Sequence, residues 1–172
     1  MDELVIHVEW VGPYSLADVD AFADPKSDIG VYQVYAHHPV YGHNLVYIGQ
    51  AGRTFADRIR EHAWDSGTEN NPEKVEIYLG RLKGETAPRR EEWQRQIGLA
   101  EALLIHSHGP AYNSHFVMDP PPVATHGHVR VLNWGAVRSL HREVSSLMWT
   151  AEGISFRSHR VYRQPSDGPT SG

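Results

Sequence analysis

Hydrophobic and polar positions alternate in some stretches of this chain and recur at helical spacing in others. Val5 to Val8 with Trp10 and Val11 supply β-formers to a strand predicted from Leu4 to Val11. Ser15, followed by Leu-Ala-Asp-Val-Asp-Ala-Phe, has the form of a capped short helix that ends before Pro25. Val31 to Ala36 and Leu45 to Gln50 predict a hairpin whose loop, His37 through Asn44, is longer than a tight turn. Thr54 is a good N-cap for a helix reaching about Trp64, with Phe55 and Ile59 on one face. After a polar loop over 65–73, Val75, Ile77 and Leu79 alternate with Glu76, Tyr78 and Gly80 as in a half-buried strand. A long helix is expected from about Pro88 to Ser107, with proline in its first turn and Gly109-Pro110 as its stop.

Beyond Asn113 the pattern changes. Asp119 to Pro122 ends in three consecutive prolines and reads as a stiff connector. Val129 to Leu132 predict another strand. Asn133 is placed to cap a helix with Val137, Leu140, Val144, Leu147 and Met148 on one stripe. Ile154 to Tyr162 read as a final strand, and Pro165 to Gly172 as a disordered tail. The sum is an α+β fold, a small central mixed or antiparallel β-sheet flanked by helices. It divides into an N-terminal strand-helix extension (1–29), a core (30–113), a strand-helix-strand extension (114–164) and the tail (165–172).

Composition bounds the function classes. With 172 residues, 40% hydrophobic and 22% charged, the chain can bury a core and has ordinary globular usage. No apolar run approaches a membrane span. Met1-Asp2-Glu3 lacks the basic-then-apolar order of a secretion signal. Without cysteine, disulfides and thiolate metal sites are excluded, and a cytoplasmic enzyme is the simplest expectation. The net charge of -5 is concentrated in residues 1–29, which hold seven acids against Lys26 alone. Residues 30–113 are nearly neutral at -1, and 114–172 carry +2. No segment has the excess of Lys and Arg that tight non-specific DNA binding requires.

Several polar residues stand out against this background. Glu101 is the only charged side chain from Gln96 to Ile105, and it shares a helix face with Ile97 and Ile105. A carboxylate on an apolar stripe is costly to desolvate unless a cation, an arginine or the helix edge relieves it. Oxygen ligands suit magnesium or manganese. Arg58 and His62 are four apart on one helix and point the same way. Arginine can fork onto a phosphate, although Asp57, Arg60 and Glu61 are equally consistent with a solvated face. Tyr32 and Tyr47 are β-favouring aromatics that on most strands pack, and either acts as a base only if its pKa falls from about 10. His126 and His128 sit at chelating spacing, yet no zinc-finger pattern completes them. Arg157, Arg160 and Arg163, with Phe156 and Tyr162, form either a nucleic-acid edge or a solubilising face.

Taken in order, Gly30-Val31-Tyr32, Tyr47-Ile48-Gly49, Arg58, His62, Glu101 and Asn113 resemble the GIY-YIG nuclease family, over about half the chain, from Gly30 to Asn113. Pro110-Ala111-Tyr112-Asn113 is similar to the Pro-x-Tyr-Asn ending of excision-repair members. The resemblance implies a catalytic core over 30–113 that hydrolyses DNA phosphodiesters. It implies that Tyr32 relays or removes the proton of the attacking water, with Tyr47 bonded near that water or the phosphate. Arg58 would neutralise phosphoryl oxygens, His62 would orient water and phosphate, and Glu101 would hold a single Mg2+ or Mn2+. Asn113 would tie down the hairpin, and Gly49 would allow close backbone approach. Gln50 stands where several relatives carry lysine, and Arg53 is available as an extra phosphate ligand. Two alternatives stay open: the same scaffold acting on a small molecule, or a binding module without turnover.

Overall fold

The computed structural model describes residues 3–18, 28–62, 74–118 and 127–149. Among them are strands β1 (Glu3–Tyr14), β2 (Gly30–His38) and β3 (Gly42–Ala51), helix α1 (Phe55–His62) and strand β4 (Glu76–Lys83). Helix α2 (Arg90–His108), strands β5 (His128–Gly135) and β6 (Glu143–Ser145) and a 3-10 turn (Ser146–Trp149) follow. The class is α+β, with one six-stranded mixed sheet in the order β3-β2-β4-β1-β5-β6. β1 runs antiparallel to β4 and parallel to β5, and the other neighbours are antiparallel. The chain segments on either side of the core thus contribute strands to the core's own sheet. Among the described residues no helix is long and apolar enough to cross a membrane.

Alternation along the strands sends residues to two buried layers. Val31, Tyr35 and Ile48 join Ile6, Val8 and Trp10 in a cluster with Ile97, Leu103 and Leu104 of α2. Tyr32, Val34 and Val46 join Ile77 and Leu79 in a second cluster, closed by Phe55, Ala56 and Ile59 of α1. The two helices therefore cover opposite faces. Thr54 caps α1 as its sequence indicates: its Oγ1 accepts the Asp57 N–H at 3.1 Å and donates to the Asp57 carboxylate at 2.8 Å. Gly109, left-handed at φ 54°, ends α2.

Three sequence expectations change. The hairpin loop is short, because pairing continues to His37↔His43 and His38↔Gly42. His38 Nδ1 accepts the N–H groups of Val40 and Tyr41, and Gly42 takes the left-handed φ of 68° that returns the chain. The stripe from Val137 to Met148 is not a helix. Arg138 has a φ of 58°, and residues 143–145 pair with β5 as a strand, so the stripe packs from a turn and β6 instead. Asn133 is no cap but a buried member of β5: its Oδ1 accepts from Trp10 Nε1 at 2.9 Å, and its Nδ2 donates to the His141 carbonyl at 2.7 Å. Ser15 begins a short 3-10 turn closed by Asp18. The remainder of that helix, the end of α1 past His62, the proline connector, the Ile154–Tyr162 strand and the tail lie outside the described residues, as does His126.

Asn133→Ala leaves the buried Trp10 indole N–H and the His141 carbonyl without partners. Unfolding in urea, followed by tryptophan fluorescence, is expected to lose about 2 kcal/mol of stability. An unchanged midpoint would mean that this pair does not join β1 to the β5–β6 turn.

Candidate active site

β3 forms one edge of the sheet, so every second residue turns its backbone N–H and C=O away from β2. Three groups from α2 and the segment after it meet that row. The Val46 carbonyl accepts the Tyr112 N–H at 2.8 Å. At Ile48 the Asn113 carboxamide makes both bonds, its Oδ1 accepting the N–H at 2.9 Å and its Nδ2 donating to the carbonyl at 2.8 Å. At Gln50 the N–H donates to Glu101. The Asn113 amide thus ties the hairpin to the loop after α2, in the place its sequence position suggested.

The opposite side of β2 and β3 carries the two tyrosines. Tyr32 lies across from Gly49 in the β2–β3 pairing. Its ring centroid is 6.0 Å from that of Tyr47. A side chain at Gly49 would put its Cβ 2.6 Å from the Tyr32 hydroxyl and 2.7 Å from Cε1 of Tyr47, so glycine is what lets both rings occupy this layer. The Tyr32 hydroxyl is buried and has no hydrogen-bond partner. Its approach to Tyr47 couples the two groups electrostatically but falls short of a well-formed hydrogen bond. Tyr47 is half-buried and borders the same layer.

Arg58, on α1, reaches toward this pair. It makes a loose 3.5 Å ion pair with Glu61, both side chains being substantially exposed. The adjoining cleft, of about 380 Å³, is lined by Arg58 together with Gln50, Arg53, Asp57, Glu61 and Gln94, among others. Arg90 braces the turn beside it by donating to the Gly52 carbonyl at 3.0 Å. Gln94, which sequence reasoning missed, lies seven residues before Glu101 and hence on the same face of α2. Gly98, between them, faces the Gln50 side chain. His62 closes α1, and its side chain lies outside the described residues.

The electrostatics join groups that the sequence holds far apart. Burial pushes the Glu101 carboxyl from an ordinary 4.5 up to about 7, against the opposing pull of Arg58 and the Gln50 N–H. Burial likewise drives the Tyr32 hydroxyl far above its usual value, reinforced by Tyr47 and Glu101 and opposed by Arg58. Tyr47 is raised too, chiefly by burial, while the Arg58 guanidinium favours its phenolate. Tyr32, Tyr47, Arg58 and Glu101 therefore feel one another's charge across a single site.

Of these groups, Glu101 is the one whose chemistry could hold a divalent cation. Glu101 is a hard oxygen ligand whose negative charge is under-compensated by its surroundings. Magnesium keeps several waters and takes only one or two carboxylates from a protein. Among the described residues no group of three or more His, Asp or Glu forms a cage, the arrangement a structural zinc site would need. No family model, curated protein or solved structure matches the chain.

Two consequences can be measured. Between pH 4.5 and 7 the folded chain retains a proton on Glu101 that the unfolded chain gives up, so this group lowers stability as pH rises through that window. In chelator, Glu101→Gln is expected to melt higher than wild type at pH 8, by up to about 3 kcal/mol of unfolding free energy, and to match it at pH 4. A variant less stable at pH 8 would mean that the carboxylate is already neutralised. Gly49→Ala is expected to cost roughly 1–3 kcal/mol by overpacking the tyrosine layer. Combining it with Tyr32→Leu should recover part of that loss, whereas additive losses would mean the rings move aside freely.

Proposed function

We propose that this chain is a metal-dependent endonuclease that hydrolyses DNA phosphodiester bonds with a GIY-YIG-type site. The observation that supports the reading is that Tyr32, Tyr47, Arg58 and Glu101, from four different elements, lie near enough to bias one another's protonation, beside a cleft that Arg58 lines with Gln50 and Arg53. A scaffold with no chemistry to perform gains nothing from an under-compensated carboxylate set near a buried phenol.

Each residue then has a definite task. Arg58 forks onto the non-bridging phosphoryl oxygens and offsets the charge that builds on them during in-line attack by water. Tyr47, half-buried and beside Arg58, takes the proton of that water once its own proton has passed to solvent, the Arg58 guanidinium favouring the phenolate against the burial that opposes it. Tyr32 was expected to be the proton acceptor, but its hydroxyl is sealed from solvent and held protonated by burial. It backs Tyr47 instead, donating toward the phenolate that accepts the proton. The departing oxygen acquires its proton from solvent. Glu101 would hold a magnesium or manganese ion, which would supply Lewis-acid stabilisation of developing negative charge. Gln50 and Arg53 line the approach to the phosphate, and His62 orients water or phosphate from the end of α1.

A second reading, hydrolysis of a small phosphodiester on the same site, has one observation in its favour. Asp57 and Glu61 share the cleft with Arg53 and Arg58, so its charges balance rather than attract a polyanion.

Labelled single- and double-stranded DNA incubated with magnesium or manganese is expected to be cut by the wild type and not by Glu101→Gln. Tyr47→Phe should lose about 100-fold in rate and Tyr32→Phe less, following the usual range for proton-transfer groups. The rate should climb as pH rises through about 7, where Glu101 ionises and becomes a ligand. Intact DNA under both metals would defeat the proposal. Cleavage of a small diester with little dependence on salt would favour the second reading, since DNA affinity falls steeply with salt.

A further inference from the structure

The turn between β5 and β6 is tied to the end of α2 by a histidine ring. Both nitrogens of His108 are committed: Nδ1 bonds the Leu104 carbonyl at 2.8 Å, and Nε2 accepts the backbone N–H of His141 at 2.9 Å. A carbonyl can only accept and a backbone N–H can only donate. This geometry therefore admits one form of the ring, the neutral tautomer with its proton on Nδ1. A second proton, on Nε2, would confront the His141 N–H and end that bond.

The same turn is fastened at several further points. The His141 carbonyl accepts from Asn133 Nδ2 at 2.7 Å, the Ser139 N–H donates to the Tyr35 hydroxyl at 3.1 Å, and the Ala136 N–H donates to the Trp10 carbonyl at 3.0 Å. Arg138, left-handed at φ 58°, reaches Glu76 at 3.1 Å. Beneath it Val137 and Leu140 are buried in the cluster that holds Leu104 and Ile105 of α2. Among these ties, the one to His108 is made directly by an imidazole, whose ordinary pKa falls within the physiological range.

The surroundings of the ring disfavour its charged form. Burial lowers the His108 pKa from its ordinary 6.5, the His141 ring, edge-on at 4.8 Å, adds to that, and the Leu104 carbonyl opposes both. The titratable groups facing it are His141 on the turn and, across a cleft of about 610 Å³, His38 and Tyr41 of the hairpin. Arg138 and Glu76 pair with each other on the turn's other side, with His43 at 3.7 Å from Glu76. Among the described residues no carboxylate lines the cleft to retain a proton on His108.

We propose that His108 is a proton-operated latch: neutral, it holds the β5–β6 turn against α2, and protonated, it releases the His141 end of that turn and uncovers Leu140. The latch is independent of the cleavage chemistry. A ring that is more basic when released than when docked makes docking fully favoured above 6.5 and progressively lost as pH falls below it. Glu101 acts in the opposite sense, weakening the fold as pH rises, so the latch is visible locally rather than in global stability.

Amide hydrogen exchange of the full chain, followed residue by residue by NMR, reads the latch at the His141 N–H. Corrected for the intrinsic pH dependence of exchange, its protection is expected to fall up to about 30-fold from pH 7.5 to pH 5, the range one proton binding near 6.5 can drive. His108→Gln can still accept the His141 N–H through Oε1 but does not titrate, and should keep that protection constant. In the wild type, long-range 1H–15N spectra should show the Nδ1–H tautomer at pH 7.5 and a ring that titrates below 6.5. Equal protection at both pH values in the wild type would overturn the latch. So would the same fall in His108→Gln, which would assign the acid sensitivity to His43 and Glu76. An Nε2–H tautomer, or titration of the His108 ring at or above 6.5, would overturn it without any variant.

Discussion

A sheet has two rims of unsatisfied backbone groups, and the one on β3 organises everything around it. Left open, that rim would pair with other chains. Here it is closed by three chemically different groups taken in succession from α2 and its exit loop: the Glu101 carboxylate at Gln50, the Asn113 carboxamide at Ile48 and the Tyr112 N–H at Val46. Only because α2 crosses at this edge can a carboxylate on one face of the sheet act on groups carried by the other. Glu101 stands on the helix that packs with Ile97 and Leu103, while Tyr32 and Arg58 belong with Phe55 and Ile59 on the far side. The edge is where the two layers communicate.

The same arrangement is costly for the fold. A carboxylate pushed up to about 7 and a buried phenol without a partner both oppose folding in the absence of ligand. Apolar replacements would pack the site more stably. Gly49 carries the matching steric cost, giving up a β-favouring side chain so that two rings can stand in one layer.

The sheet separates two kinds of surface along one hairpin. Near Gln50 and Arg58 the lining is charged and amide-rich; near Tyr41 and His108 it is aromatic and without cations. The net charge of -5 says little of either end, since near Arg58 two arginines face Asp57 and Glu61. Local chemistry, not the total, decides what each end attracts.

Sequence by itself determined the elements whose signals are local. Alternation gave β1, β2, β3 and β4, the Thr54 cap placed α1, and the long apolar run closed by Gly109 gave α2. It also marked Glu101 as unusual among its apolar neighbours, whereas Gln50 and Asn113 drew notice through the family resemblance. Tertiary structure decided the rest. Asn133 reads as a helix cap by propensity, yet the indole of Trp10, 123 positions away, offers it a partner inside the sheet. The apolar stripe from Val137 to Met148 serves a turn and a strand, because β5 supplies hydrogen bonds that a short isolated helix would have had to win against its own nucleation cost. The different standing of Tyr32 and Tyr47 is invisible in sequence, where they look equivalent. Burial is a property of what packs above a residue, and only the assembled layers seal one hydroxyl while presenting the other.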